Sequence, residues 1–225
     1  MSGHMPAVVT LSTPVLDAVK LTPNEVTATL VAVSFAAGLN VYATLTTLGL
    51  LAHTGILTLP APLLLLENWW IIAASAVLFL VEFFADKVPA FDLIWNALHT
   101  FIRIPIAALL AYGATSHLSA EKQLVATLLS GLIALAAHGG KTAVRAAVTP
   151  SPEPLSNIGL SLGEDVLAIF LTWIATKHPY LAASIALLSI ILIVLAVRWV
   201  VRALRRLFHG AERVLAAETR HDSTP

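Results

Sequence analysis

Apolar runs recur along this chain more often than a water-soluble core needs, at 71–81, 104–110, 124–137, 166–174 and 181–197. With their flanks, several reach the roughly 20 mostly apolar helical residues that a bilayer core requires. Composition agrees: 58% of residues are hydrophobic and 12% charged, with a mean hydropathy of +0.86. A soluble domain carries about 25% charged residues, so the apolar excess must face something other than water. The expectation is an all-α membrane protein of about six transmembrane helices, some of them short or broken.

The chain has no cysteine, which excludes disulfides, thiolate metal sites and thiol redox chemistry. Its formal net charge of zero argues against nucleic acid as a partner. Met1–Met5 (MSGHM) reads as a tag remnant. No cleavable signal peptide is expected, because residues 1–20 lack a basic start followed by an apolar run.

Thr22-Pro23-Asn24-Glu25 is a capping box with proline at the first helical position. It predicts a first helix running toward Thr54, long for one span, with a bend or break at Gly38-Leu39-Asn40. Pro60-Ala61-Pro62 predicts a loop. Further helices are expected over about 68–86, opened by the interfacial pair Trp69-Trp70, and over 92–116, 121–148, 161–178 and 180–208. The fifth is read as opening at a second capping box, Ser161-Leu162-Gly163-Glu164, after an irregular proline-rich segment at 149–154. Residues 22–209 then form one transmembrane domain, preceded by segment 1–21 and followed by a polar cytoplasmic tail, 210–225, expected to fray.

Two halves resemble each other. Phe79–Pro89 (FLVEFFADKVP) matches Ile169–Pro179 (IFLTWIATKHP), sharing A-x-K-x-P after an apolar run, and Val33–Leu39 (VSFAAGL) resembles Ile133–Gly139 (IALAAHG). Repeats of about 22–117 and 121–209, three spans each, must insert in opposite senses, as in many secondary transporters. Basic residues set the orientation. With both termini in the cytoplasm, Lys87, Lys141, Arg145 and the arginines from Arg198 onward lie inside, and only Lys122 and Lys177 lie outside. The expected location is a bacterial inner membrane.

The informative residues are ionisable groups at membrane depth, which are costly and mark function by default. Glu82 and Asp86 lie four apart on one helix face, followed by Lys87. Asp92, Asn96, His99 and Arg103 form a second stripe, and His138, Lys141 and Arg145 a third. Asn157, Ser161, Glu164 and Asp165 complete the candidate set. Plainer readings stand beside this one. Lys87, Lys141 and Arg145 would also serve as helix ends snorkelling to phosphates, and Glu164 and Asp165 as ordinary caps. Trp95 would serve as a packing residue, and Gly139-Gly140 would mark close helix packing. His53, His117, His178 and His209 look like interface or loop residues.

The string Ala85-Asp86-Lys87-Val88-Pro89 with Asp92, Trp95, His99 and Arg103 resembles a bacterial membrane family known as domain of unknown function 4126. So does His138-x-x-Lys141-x-x-x-Arg145 followed by Ser151-Pro152-x-Pro154-x-Ser156-Asn157 and Ser161-x-x-Glu164-Asp165, and Ala37-Gly38-Leu39 also fits. The resemblance spans about 26–197, departs where a basic residue is expected at Asn40, and implies a multi-span helical protein but no activity. The leading function is a transporter-like protein with a polar site between two inverted repeats. His99, Arg103, Lys141 and Arg145 suit an anionic solute or lipid phosphate, and Glu82, Asp86, Glu164 and Asp165 suit coupling protons or cations. The alternative is a non-transporting lipid-binding or scaffold protein. An enzyme ranks last, since no HExxH, G-x-S-x-G or cysteine nucleophile is present. No cofactor or metal is expected; the partners are membrane lipids, and homo-oligomerisation stays open.

Overall fold

The computed structural model describes residues 22–87, 89–148 and 154–221. Within those segments, the side chains of 89–94, 146–148, 154–157, 200, 203, 204 and 206–221 lie outside the description. The described residues are all-helical, with seven α-helices: α1 (Pro23–Leu39), α2 (Val41–His53), α3 (Trp69–Ala85), α4 (Pro89–Ala114), α5 (Ala120–Val148), α6 (Pro154–Ala175) and α7 (Pro179–His221). Four stretches, Trp95–Ala114, Ala120–Arg145, Ile158–Ala175 and Pro179–Trp199, are long and apolar enough to cross a membrane. A short 3-10 helix, Ala61–Glu67, stands where a loop was expected; bent by 66° against α3, it makes a fifth if the pair is one span.

The Thr22–Glu25 capping box forms as expected: the Thr22 amide donates to Glu25 Oε2 (2.7 Å) and the Glu25 amide to Thr22 Oγ1 (3.4 Å). From Ala32 to Leu39 every residue of α1 is buried. A helix apolar all round belongs inside a bundle, and α1 packs against α4, α5, α6 and α7. Its small residues allow close approach. A Cβ at Gly38 would lie 2.5 Å from the Ala134 carbonyl oxygen, and one at Gly140 would lie 2.2 Å from Ile193.

The first long segment is broken at Asn40, and the break is a reversal rather than a bend. Pro23 and Asn24 share a depression with His117, Glu121 and Lys122, at the start of α5. Val26 and Thr29 share another with Leu57–Leu59, just after α2, and with His117. His53 at the end of α2 bonds the Glu67 carbonyl and packs on Trp69. So α1 starts and α2 ends at one end of the bundle, the base end, and the two helices form a hairpin with Asn40 at its tip. The extended backbone of Asn40 (φ −148°, ψ 104°) ends one helix and caps the next, its side-chain oxygen accepting from the Ala43 amide at 2.9 Å. Gly55, at φ +76° after α2, takes the left-handed conformation that glycine adopts without strain.

Two other expectations change. The fifth predicted helix opens at Pro154, whose fixed φ suits the first helical position, so Glu164 and Asp165 lie well inside α6 and are not caps. The last helix runs to His221 instead of fraying after Gly210, because AERVLAAE is made almost wholly of strong helix formers.

The two A-x-K-x-P corners have the same local form. A helix ends on the alanine (Ala85, Ala175), and the next starts on the proline (Pro89, Pro179). They lie at opposite ends. Ala175 accepts from Thr29 near the base end, while Asp86 meets Lys141 and Arg145 near the far end of α5. By contrast, α1 and α5 run in the same direction, since Asn24 neighbours Glu121 and Gly38 neighbours Ala134.

Candidate functional site

Burial sorts the charges. Glu82, Asp86 and Arg103 show no exposure, and His99, His138, Lys141, Arg145 and Asp165 are all buried. Each of these side chains would be a costly face if it met hydrocarbon, since apolar surroundings offer no hydrogen bonds. The sequence spaces them at intervals of three and four, which puts them on single helix faces. The fold turns those faces inward, so the stripes satisfy one another.

Arg103 on α4 donates through one terminal nitrogen to Glu82 on α3, and through the other to His138 Nδ1 on α5 at 2.7 Å. Lys141 reaches Asp86 at 2.9 Å, Glu164 at 3.2 Å and Glu82 at 3.9 Å, with the Leu39 carbonyl at 3.3 Å. Arg145 meets Asp86 at 3.1 Å and Glu164 at 2.6 Å. Lys141 and Arg145 are therefore not snorkelling helix ends; they tie α3 and α6 to α5.

The histidines are assigned by their partners. Nδ1 of His138 accepts from Arg103, so Nε2 carries the hydrogen and donates to Thr100 Oγ1 (2.8 Å), whose own proton goes to the Asn96 carbonyl (3.1 Å). His99 donates from Nδ1 to the Trp95 carbonyl at 2.8 Å, leaving Nε2 to pair with the Tyr42 hydroxyl at 3.1 Å. Trp95 stacks on the His99 ring with centroids 4.4 Å apart, a packing role.

The hairpin tip enters the same centre. The Asn40 side-chain amide donates to Asp165 Oδ1 at 2.8 Å, and capping of Ala43 fixes which way that amide points. Asn40 and Tyr42 are site residues that sequence reasoning did not select. The signals for Asn40 were the helix break and the family resemblance, which expects a basic residue there, and Tyr42 gave none. Ser161 is buried one turn before Asp165 on α6, its hydroxyl unpartnered among the described residues. Lys87 stays at the edge of the centre: its ammonium bonds the Phe83 carbonyl at 2.6 Å and sits 3.0 Å over the Phe83 ring, within electrostatic reach of Asp165 and Asp86. The side chains of Asp92 and Asn157 lie outside the described residues, as does the segment 149–153.

A groove of about 680 Å³ reaches the rim of this centre between α5, α6 and α7. Its walls include Phe35, Leu39, Leu167, Leu192 and Ile193, and Lys141 and Glu164 are its charged residues. Gly159 and Gly163 keep the α6 side open, with nothing within 4 Å of where a Cβ would stand. No group of His, Asp and Glu with metal-holding geometry occurs among the described residues.

Fold and site together define a protein whose described residues are all-helical, with four helices, or five counting the bent pair, fit to cross a membrane and packed around a buried ionic centre. Within that class it belongs to the family described as domain of unknown function (DUF4126), whose model matches residues 27–199. No curated protein and no solved structure matches the chain.

Proposed function

We propose that this is a multi-pass, transporter-like membrane protein whose ionic centre takes the phosphate group of an anionic lipid. The carrying observation is the groove. Its apolar walls suit hydrocarbon, and its charged lining residues are Glu164, partly exposed, and Lys141, whose buried side chain lies behind it in the ionic centre. A soluble anion would need a polar path, whereas a lipid brings its own apolar half. Leu162, Val166, Leu188 and Ile191 are exposed on α6 and α7, around the groove, so acyl chains would be the local solvent.

Purified protein should gain thermal stability from phosphatidylglycerol but not from phosphatidylcholine or inorganic phosphate, and Gly163→Leu should remove the gain. Fluorescent phosphatidylglycerol in proteoliposomes separates the roles. Movement between leaflets supports transport, and binding without movement supports the lipid-binding module. No binding sinks both. The scaffold reading has its own support, because Arg103, Lys141 and Arg145 are already engaged by carboxylates.

The repeat is best drawn as α2–α3–α4 against α5–α6–α7 in opposite senses, with α1 outside it. The opposed corners at Lys87 and Lys177 support this pairing; the parallel run of α1 and α5 argues against pairing α1 with α5. A re-entrant α1–α2 hairpin with five crossings replaces six spans and puts the two termini on opposite sides. The arginines from Arg198 onward then place the far end and the C-terminus in the cytoplasm. Asn24→Cys, Thr58→Cys and Ser119→Cys should therefore all react with an impermeant thiol reagent from outside. Labelling of Thr58 and Ser119 without Asn24 would restore a first helix that crosses completely.

A further inference from the structure

We infer that Asp165 is a proton-binding site, its carboxyl taking up a proton at mildly acidic pH. The centre holds four carboxyl groups, Glu82, Asp86, Glu164 and Asp165, and three strong bases, Arg103, Lys141 and Arg145. Both histidines have neutral forms that satisfy their partners. With every carboxyl ionised, one carboxylate would lack a contacting base, and a buried charge without a partner is expensive. Geometry says which group gives it up. Glu82 meets Arg103, Asp86 meets Lys141 and Arg145, and Glu164 meets the same two bases. Asp165 meets only the neutral amide of Asn40 through Oδ1, and Oδ2 has no partner among the described residues.

The surroundings of Asp165 come from every packed element. From α3 and its corner come Glu82, Asp86 and Lys87. Lys141 and Arg145 come from α5, Asn40 from the hairpin tip, and Ser161 and Glu164 lie on α6 itself. Lys141 and Lys87 are the cations that favour the ionised form, but Lys141 is bound to Asp86 and Glu164, and Lys87 bonds the Phe83 carbonyl rather than Asp165. Deprotonation would place a fresh charge beside the re-entrant tip, whose Asn40 amide bonds Asp165. The site is thus suited to couple a proton to hairpin movement.

This inference rests on the ionic centre being a working site, but it is read without any transport, so it and the lipid reading fail separately. The infrared C=O band of a protonated carboxyl, recorded on wild-type protein at mildly acidic pH, should disappear in Asp165→Asn and persist in Glu164→Gln. Asparagine mimics the neutral acid, keeping an oxygen for Asn40 and placing a donor at the Oδ2 position. Asp165→Asn should therefore melt within about 2 °C of wild type, while Asp86→Asn should melt lower by about 6 °C or more. Folding takes up a proton at Asp165, so wild type should lose stability relative to Asp165→Asn as pH rises. No such band, a band surviving in Asp165→Asn, or an Asp165→Asn variant as unstable as Asp86→Asn overturns the assignment. So does a stabilisation by sodium that Asp165→Asn abolishes, which would make the ligand a metal cation.

Discussion

Replacing Arg103 with alanine should leave little stable protein. The guanidinium is fully buried and bridges Glu82 on α3 to His138 on α5. Alanine would strand the Glu82 carboxylate, which keeps only Lys141 at 3.9 Å, and would leave His138 Nδ1 without a donor. Removing one partner of a buried pair typically costs about 3–5 kcal/mol, because the other charge stays buried and unpaired. For a chain of this length that is a fall in melting temperature on the order of 10 °C. Arg202→Ala, at an exposed position on α7, should change little. Size alone is not the cause, which the double variant Arg103→Met with Glu82→Leu would show by recovering much of the loss. If Arg103→Ala melts like Arg202→Ala in detergent and in lipid, the ionic centre is not holding the helices together.

The charged stripes were readable in the sequence because charge at membrane depth is rare and needs a reason. Their spacing fixed the helix face, and a face that cannot meet lipid must meet another polar face. That reasoning brings Glu82, Asp86, His99, Arg103, His138, Lys141, Arg145, Glu164 and Asp165 together without coordinates. It is silent on direction. A break at Gly38-Leu39-Asn40 looks the same whether the chain bends or reverses, and it is the closeness of Val26 and Thr29 to Leu57–Leu59 that separates the two. Asn40 was missed for the same reason, since asparagine is common at helix caps and its tertiary role appears only once the tip meets α6. Lys87 was selected by proximity to Asp86, yet α3 ends at Ala85 before both, and the Lys87 side chain turns back to Phe83. The start of α6 was misplaced because Ser161 and Glu164 match a capping box at a spacing that any polar helix face also produces.

Lys141→Met should be the second most damaging substitution, and less damaging than Arg103→Ala. Its ammonium lies within ion-pair reach of Glu82, Asp86 and Glu164, which makes it the electrostatic hub. Each of those acids keeps another base: Arg103 for Glu82, and Arg145 for Asp86 and Glu164. The loss should therefore fall at the lower end of the range of about 3–5 kcal/mol for a broken buried pair. A hub and an isolated pair differ in how the loss is repaired. Asp86→Asn alone leaves the bases in excess, and Lys141→Met alone leaves the acids in excess, but the double variant restores the balance. Groups in one network couple by about 0.5–3 kcal/mol, so the double variant should melt above the value obtained by summing the two single losses. Chemical denaturation of all four proteins closes the cycle. Strict additivity would mean that Lys141 and Asp86 act independently, and the network would then reduce to separate pairs, with Arg145 alone joining α3 to α6.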